Sequence, residues 1–359
     1  MPSSLSPSLP PSLRITSVSA VSVAQAAAWY EVTAAAVRHD LPDDTPPSPE
    51  QVLGALRAAA PPDGDRRFWL AADPEGRTVG VASLLLFGSA GQRHLAELEM
   101  SVHPGHRREG VGAELLTQVV AAMRAEGRRA LIGRVVVDGP GAAFAVAQGF
   151  RPVLPLTHLL LDTARADTRW ADSVPPGHSL VTWTGTVPDA LADALAAAKN
   201  AMNDMPTGEM DFGSRHWDAE RVRAMARVVA DRGDTLLTVA AMAGERMAGY
   251  TEVVLRPGEK DRAQQYDTVV VPEHRGHGLG LLLKAAMVRR VRADHPTVTE
   301  IETDNADDNT HMLAVNERLG FRAYRRTCVY QLELELEQEE EQEQQEQEEG
   351  QKEEQGVTE

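Results

Sequence analysis

The 359-residue chain has one cysteine, Cys328, so it can form no intrachain disulfide and has no cysteine cluster for zinc. A reducing, cytoplasmic setting is expected. Aromatic residues are only 4 % of the chain, and no stretch approaches the ~18 uninterrupted apolar residues of a membrane-spanning helix. The opening MPSSLSPSLPPSLR has neither the basic start nor the continuous apolar core of a secretory signal. Basic residues are scarce as well: 36 Lys and Arg face 53 Asp and Glu, for a net charge of −17. Ten of those negative charges sit in residues 337–359, which leaves about −7 on the rest. That balance argues against a nucleic-acid binder, which needs a basic excess. Gly-Lys-Ser/Thr, His-Glu-x-x-His and Gly-x-Ser-x-Gly are all missing. The nucleotide-triphosphate loop, the zinc-protease helix and the hydrolase nucleophile elbow go with them.

What is present is a globular composition, with 42 % apolar and 25 % charged residues, in a length that suits two domains. Residues 1–13 are Ser/Pro/Leu and residues 337–359 are a Glu/Gln run, and both are expected to be disordered. Between them the sequence repeats. PGHRREGVG at 104–112 returns as PEHRGHGLG at 272–280, an offset of 168 residues, and a Gly-Phe pair closes each half at 149–150 and 320–321. VGVASLLLF at 79–87 and AGYTEVVL at 248–255 also correspond. Solenoid repeats run to only ~20–50 residues, so this is a duplicated domain. We expect units at 14–165 and 178–336, joined by a linker at 166–177.

Each half shows the same order of elements. A short strand (13–16; 179–182) precedes two amphipathic helices (22–38 and 48–59; 187–202 and 216–232). Three strands follow, at 67–72, 78–87 and 94–103, and at 235–242, 246–255 and 264–271. A helix opens at each glycine motif: Leu279, Leu282, Leu283, Ala286, Met287 and Val291 share one helical face, as do Val111, Leu115, Val119, Ala122 and Met123. A strand, a short helix and a last strand or hairpin close the unit. The expected class is α/β (α+β): two tandem domains, each a mixed, mostly antiparallel sheet with helices on both faces.

A strand running into an Arg- and Gly-containing turn that opens a helix makes a phosphate cradle. Glycines let a ligand approach the backbone. The first helical N–H groups lack internal partners, and the helix dipole favours an anion there. The dinucleotide fingerprint fails, because its third glycine is replaced by Leu115 and Leu283. Arg107, Gly110 and Gly112, and again Arg275, Gly278 and Gly280, form the frame Arg-x-x-Gly-x-Gly. This frame resembles the acyl-CoA pyrophosphate loop of the GNAT superfamily of N-acyltransferases. The order of elements and the Gly-Phe pair resemble that family over residues 14–335. The duplication resembles its tandem members, of which mycothiol synthase is one example.

The resemblance implies acetyl-CoA as cosubstrate, with no metal, and transfer of its acetyl group to a primary amine of a small molecule or peptide by direct attack. It implies cofactor contacts at Arg275, Gly276, His277, Gly278, Leu279 and Gly280, and at Arg107, Arg108, Gly110, Val111 and Gly112. It also implies a backbone N–H for the thioester oxygen near Val270 and Val102, and a pantetheine contact at Asn309. The attacking amine must be neutral, so a base is useful. Asp267 and Glu252 are the candidates in the second half, Glu97 and Glu99 in the first. Many members carry a tyrosine four residues before the glycine of Gly-Phe. Here Asn316 and Ala145 stand there, and neither can act as an acid. Asn316 can still hydrogen-bond the sulfur, with Tyr324 or water as substitute donors. Asn309 has no counterpart in the first half, where Asp138 and a Gly-Pro-Gly break occur. Catalysis is therefore expected in the second half. In the loop 199–214, Asp204, Glu209 and Asp211 are expected to attract a cationic amine acceptor. A competing reading, favoured by the missing tyrosine, is a non-catalytic acyl-CoA-binding or sensor protein with degenerate domains. His106 and His274 read as turn residues, and Cys328 as a sheet residue.

Overall fold

The computed structural model describes residues 13–335, apart from 59, 61–63 and 260. Residues 1–12 and the Glu/Gln tail, both expected to be disordered, lie outside the described residues. The first half runs β1 (Arg14–Val18), α1 (Val23–Asp40), α2 (Pro49–Arg57), β2 (Asp65–Ala72), β3 (Thr78–Leu86), β4 (Leu95–Val102), α3 (Val111–Ala125), β5 (Ala130–Val136), α4 (Pro140–Ala147) and β6 (Arg151–Asp162). The second half repeats it as β7 (Ser179–Thr184), α5 (Ala192–Asn200), α6 (Ala219–Asp231), β8 (Thr235–Ala243), β9 (Arg246–Leu255), β10 (Arg262–Val270), α7 (Leu279–Asp294), β11 (Glu300–Ala306), α8 (Thr310–Leu319) and β12 (Arg322–Glu333).

Local chemistry sets the helix ends. Ser22 with Gln25, and Ser48 with Gln51, form capping boxes that satisfy orphan amides of α1 and α2. α5 is shorter than the sequence suggests. Asn200 turns its amide onto Trp217, donating to its carbonyl and accepting from its N–H, and the chain leaves the helix there.

The order of elements repeats in the two halves, but the halves do not close as separate sheets. The twelve strands form one sheet in the order β1-β2-β3-β4-β5-β12-β6-β11-β10-β9-β8-β7. The last strand of each half crosses to the other: β6 pairs with β11 from Asp162 opposite Glu300 to Leu156 opposite Ala306. β12 pairs with β5 from Val136 opposite Thr327 to Ala130 opposite Glu333. The two exchanged strands also pair with each other. The segment at 166–177 is strapped to the second half, where Asp172 pairs with Arg289 and Arg292 donates to the Thr163 and Ala166 carbonyls.

Helices cover both faces. α3 and α7 bury Leu115, Val119 and Met123, and Leu279, Leu283, Met287 and Val291, against their own halves of the sheet. On the other face α1 and α2 pack Trp29, Val32 and Val52 against Phe68, while α5 and α6 pack Leu195 and Val222, with Trp217 from the segment between them, around Tyr250.

Two strand pairs, β4 with β5 and β10 with β11, are parallel, and each pairs over three residues only. Beyond Glu97 and Gln264 those strands part into a V-shaped split whose far end is the glycine loop.

Because each half completes its sheet with the other half's last strand, residues 1–165 and 166–359 expressed alone should aggregate through exposed edges. Co-expressed, they should co-purify as one folded complex. Two independently folded monomers in size-exclusion chromatography would contradict the exchange.

Candidate active site

The loop after β10 begins with a tight turn, and Gly276 and Gly278 both take positive φ, 80° and 76°. A Cβ at either would meet nothing within 4 Å, so the space before α7 is open. The first helical bond from the cap runs from Leu282 N–H to Gly278 O. The amides of Leu279, Gly280 and Leu281 therefore face out of the helix as anion donors. The first half repeats the geometry with Gly110 at φ 86°, but Arg108 (φ 66°) replaces the first glycine.

The motif arginines brace their loops. Arg275 Nε donates to Val270 O (3.1 Å) and Arg107 Nε to Val102 O (3.3 Å). Their outer nitrogens reach an acid at or just past the C-terminal end of the first helix of the same half, Asp204 at 2.6 Å and Asp40 at 2.7 Å.

Two differences separate the halves. In the first, the Phe144 ring on α4 packs over Gly112, so that a Cβ there would meet it at 3.2 Å. The equivalent Gly280 has only Val270 Cγ2, at 3.9 Å, and lines an open cleft. The second difference is a β-bulge. β3 and β4 pair without interruption, but the register of β9 and β10 shifts between Gln265 and Thr268, so that Tyr266 and Asp267 together oppose Glu252. Gln265 holds the bulge by donating to Thr251 Oγ1 (2.7 Å) and Glu252 O (2.8 Å). A bulge turns side chains and bends its strand, and this one sits where β10 leaves β11.

The bulge brings Asp267 beside Glu252. Between them lies Lys199, at the end of α5, whose Nζ donates to Glu252 Oε2 (2.8 Å) and Asp267 Oδ2 (2.7 Å). Tyr250 OH donates to Asp267 (3.2 Å), and the Lys199 ammonium lies over the Trp217 and Tyr250 rings. Burial alone would lower the Lys199 pKa, but the two carboxylates raise it, so it stays charged. Burial pushes Asp267 up, yet Lys199 and the Tyr250 hydroxyl hold it below the usual range. Glu252 moves the other way: burial and the Asp267 charge raise it against the pull of Lys199.

β10 also aims a donor into the split. Val271 N–H bonds Ala248 O on β9, so strand alternation turns the Val270 N–H away from β9, toward the opening. The cleft beyond has a volume of about 1290 Å³, and Val270, Arg275, Gly280, Lys284, Asn305 and Asn309 line its loop end. Residues of the exchanged strands, among them His158 on β6 and Arg325 on β12, line its far wall together with Glu97 and Arg134 of the first half. A smaller cavity of about 230 Å³, walled by Trp183, Leu195, Trp217 and Met225, adjoins Lys199, Glu252 and Asp267.

This geometry holds an open anion cradle, a backbone donor and a carboxylate pair at one strand split. The profile of the acetyltransferase (GNAT) family matches residues 33–150 and 202–321. The chain belongs to that family. It is similar to the mycothiol acetyltransferase of Salinispora arenicola (strain CNS-205), with 30% identity over 306 residues, covering 80% of this chain and 94% of the relative. The mycothiol acetyltransferase of Rhodococcus jostii (strain RHA1) is 28% identical over 311 residues, covering 84% of this chain and 93% of the relative. Among solved structures, a tandem GNAT protein from the clavulanic acid biosynthesis pathway superimposes with a TM-score of 0.75 at 32% identity, covering 89% of this chain and 98% of that one. The protein is a tandem acetyl-CoA-dependent N-acetyltransferase. The non-catalytic reading gains no support from these relatives.

Several expected site residues take a different place from the one the sequence suggests. Asn316 is fully buried: it accepts from Lys284 Nζ (2.6 Å) and donates to Asn305 Oδ1 (2.5 Å), so it stands behind the cleft wall. Asn309 lines the cleft and caps α8, its Oδ1 accepting from Met312 N–H (3.2 Å). His277 leans back on the His274 carbonyl. The three loop carboxylates are all engaged by arginines: Asp204 by Arg275, Glu209 by Arg151 (3.6 Å) and Asp211 by Arg129 (2.9 Å). The last two dock the 199–214 loop onto the first half. Of the three, Asp204 lines the cleft. Sequence reasoning missed Lys199 and Lys284, both buried. Each is a lysine on an otherwise apolar helical face, four residues after Leu195 and Gly280 respectively, and that oddity was readable.

Gly278→Glu places a side chain and a like charge in the cradle. Acetyl-CoA binding at the second half should be lost in calorimetry, while the melting temperature stays within a few degrees. Unchanged affinity and stoichiometry would show that the loop is not the phosphate site.

Proposed function

We propose that the second half performs the transfer, and that its acceptor is the primary amine of a small molecule held in the cleft between the halves. The bulge carries this reading, because it sets Asp267 beside Glu252 at an open split and the first half has no such bulge. Phe144 over Gly112 adds to it by covering the equivalent ground in the first half.

In the proposed mechanism the acceptor arrives as an ammonium, and the Glu252/Asp267 pair takes its proton. Lys199 fixes the two carboxylates and keeps one of them ionised. The freed amine then attacks the thioester carbonyl, whose oxygen gains charge facing the Val270 N–H. The residues that would hold acetyl-CoA are the amides of Leu279, Gly280 and Leu281, with Arg275 and Asn309 at the cleft wall. We place the acceptor's remaining groups against the far wall. Arg134, Arg262 and Arg325 mix there with Glu97, Glu302 and Asp304. A wall of both signs favours a polar acceptor with hydroxyl or carboxyl groups over a bare polycation, and the mycothiol acetyltransferase relatives are consistent with that class. The sequence expectation of acceptor attraction by Asp204, Glu209 and Asp211 gives way here to attraction by the buried pair.

An amine panel with a free-thiol readout tests the acceptor class. Polar monoamines should turn over faster than polyamines, and the opposite ranking would defeat the proposal. Gly110→Glu should spare most turnover, whereas activity that survives Gly278→Glu but not Gly110→Glu would reverse the two halves.

The base has a pH signature. Activity requires the pair ionised, so it is lost as pH falls through the pair's apparent pKa. Glu252 is raised, so that limb lies above the ordinary carboxylate value of about 4.3. Asp267→Asn removes the negative neighbour, so the limb should move to lower pH. kcat/KM at neutral pH should fall, because the Glu252 carboxylate that remains is a weaker base. An unmoved limb in that variant would separate the pair from the chemistry.

A further inference from the structure

Lys284 is the buried cation that this mechanism leaves unused. It lies on α7 one turn beyond Gly280, so both face the same side, and both line the cleft. Its Nζ donates to Asn316 Oδ1 at 2.6 Å and lies over the Phe321 ring at 4.9 Å. Asn316 is fixed in turn by Asn305. The nearby charges are committed elsewhere: Glu252 and Asp267 of β9 and β10 to Lys199, Glu302 of β11 to His158 and Arg262, Asp304 to Arg134. α8 presents Asn316, and its Arg318 lies over Trp170. On α7 itself, Arg289 pairs with Asp172 and Arg290 bonds the Trp183 and Thr238 carbonyls. Among the described residues no carboxylate is within ion-pair distance of Lys284.

A lysine in such surroundings has a reason to be there only if something in the cleft takes its proton or its charge. Asn316, which accepts from Lys284, has no proton of its own to give up. We propose that Lys284 is the proton donor to the sulfur of the departing CoA, held in place by Asn316. This rests on placing catalysis in the second half.

The step balances. The amine nitrogen forms a bond to the acetyl carbon, and the carbon–sulfur bond breaks with its electron pair going to sulfur. Lys284 Nζ gives sulfur a proton and becomes a neutral amine. The acceptor nitrogen loses two protons: the first, from the ammonium, goes to the Glu252/Asp267 pair before attack, and the second, lost as the amide forms, passes through water in the cleft to Lys284 and restores its charge. Energetics favour the direction. Burial lowers the Lys284 pKa to about 7, below the ~8.5 of a thiol, so transfer to the thiolate is downhill. An exposed lysine near 10.4 would be a weaker acid than the thiol it must protonate.

The test compares Lys284→Met and Lys284→Gln with the unaltered protein. With acetyl-CoA, kcat should fall roughly 10²-fold, while KM for acetyl-CoA changes by less than about threefold. Lys284 must be protonated to act, so the unaltered protein should lose kcat/KM as pH rises through about 7, and the variants should lack that limb. With acetyl-thionitrobenzoate as donor, whose thiolate leaves without a proton, the variants should match the unaltered protein. A merely structural lysine would slow both donors alike, and that result overturns the proposal. A second readout needs no turnover. In protein carrying 13Cε-labelled lysine, one resonance should titrate near pH 7 and vanish in Lys284→Met. CoA should move it, and desulfo-CoA at equal saturation should not. Equal shifts with both ligands, or no lysine titrating below about pH 9, also overturn the proposal. If neither variant folds, as judged by thermal melting, the labelled unaltered protein still decides. Failure of the underlying assignment shows separately, as turnover that persists in Gly278→Glu.

Discussion

The parting of β10 from β11 after three paired residues is the constraint on which the site depends. Beyond the last pair, the β10 backbone groups that point toward β11 have no strand partner, so the Val270 N–H faces open space. The extra residue at Tyr266 and Asp267 bends β10 away, and Gln265 pins that bend. Once the strands have separated, the glycine loop lies at the mouth of the gap and α7 supplies its free amides. A straight β10 would lose the carboxylate pairing as well, because Asp267 would no longer share the position opposite Glu252.

Buried charge is the second organising element, and the two lysines show opposite solutions. Lys199 sits between two carboxylates, a hydroxyl and two aromatic faces, and it remains an ammonium. Lys284 has an amide and a ring, and burial wins. The same residue type in the same half thus provides a fixed charge at one place and a labile proton at the other. An isolated buried lysine costs stability, and it persists beside a cleft where it has access to a ligand.

Much of this was legible in the sequence. The duplication, the order of elements and the glycine loops are readable from spacing and composition, whereas Glu252 and Asp267 were two of four candidate carboxylates, with Glu97 and Glu99, that spacing did not separate. The exchange of β6 and β12 was not legible, because a twelve-residue strand can pair along either half's open edge. Pairing across halves is a tertiary choice that periodicity does not encode. The bulge was hidden for a related reason: it appears only when two strands are compared in register. Asp204, Glu209 and Asp211 read as free acids because their arginine partners, Arg275, Arg151 and Arg129, lie 71, 58 and 82 residues away in the chain.

The exchange also explains why a half with a covered loop persists. A duplicated domain could be trimmed to one half if the two sheets closed separately. Here β5 pairs with β12, and β6 separates β12 from β11. Removing the first half would leave the second half without the strand beside β11 and without the wall that carries His158 and Leu156. The 199–214 loop would lose Arg129 and Arg151, which hold it over the cleft. Phe144 can therefore fill the first split at no cost to the second, while the scaffold around it stays under constraint. The first half contributes to this cleft through position: its exchanged strand pairs with β11, and His158, Leu156, Glu97 and Arg134 line the far wall.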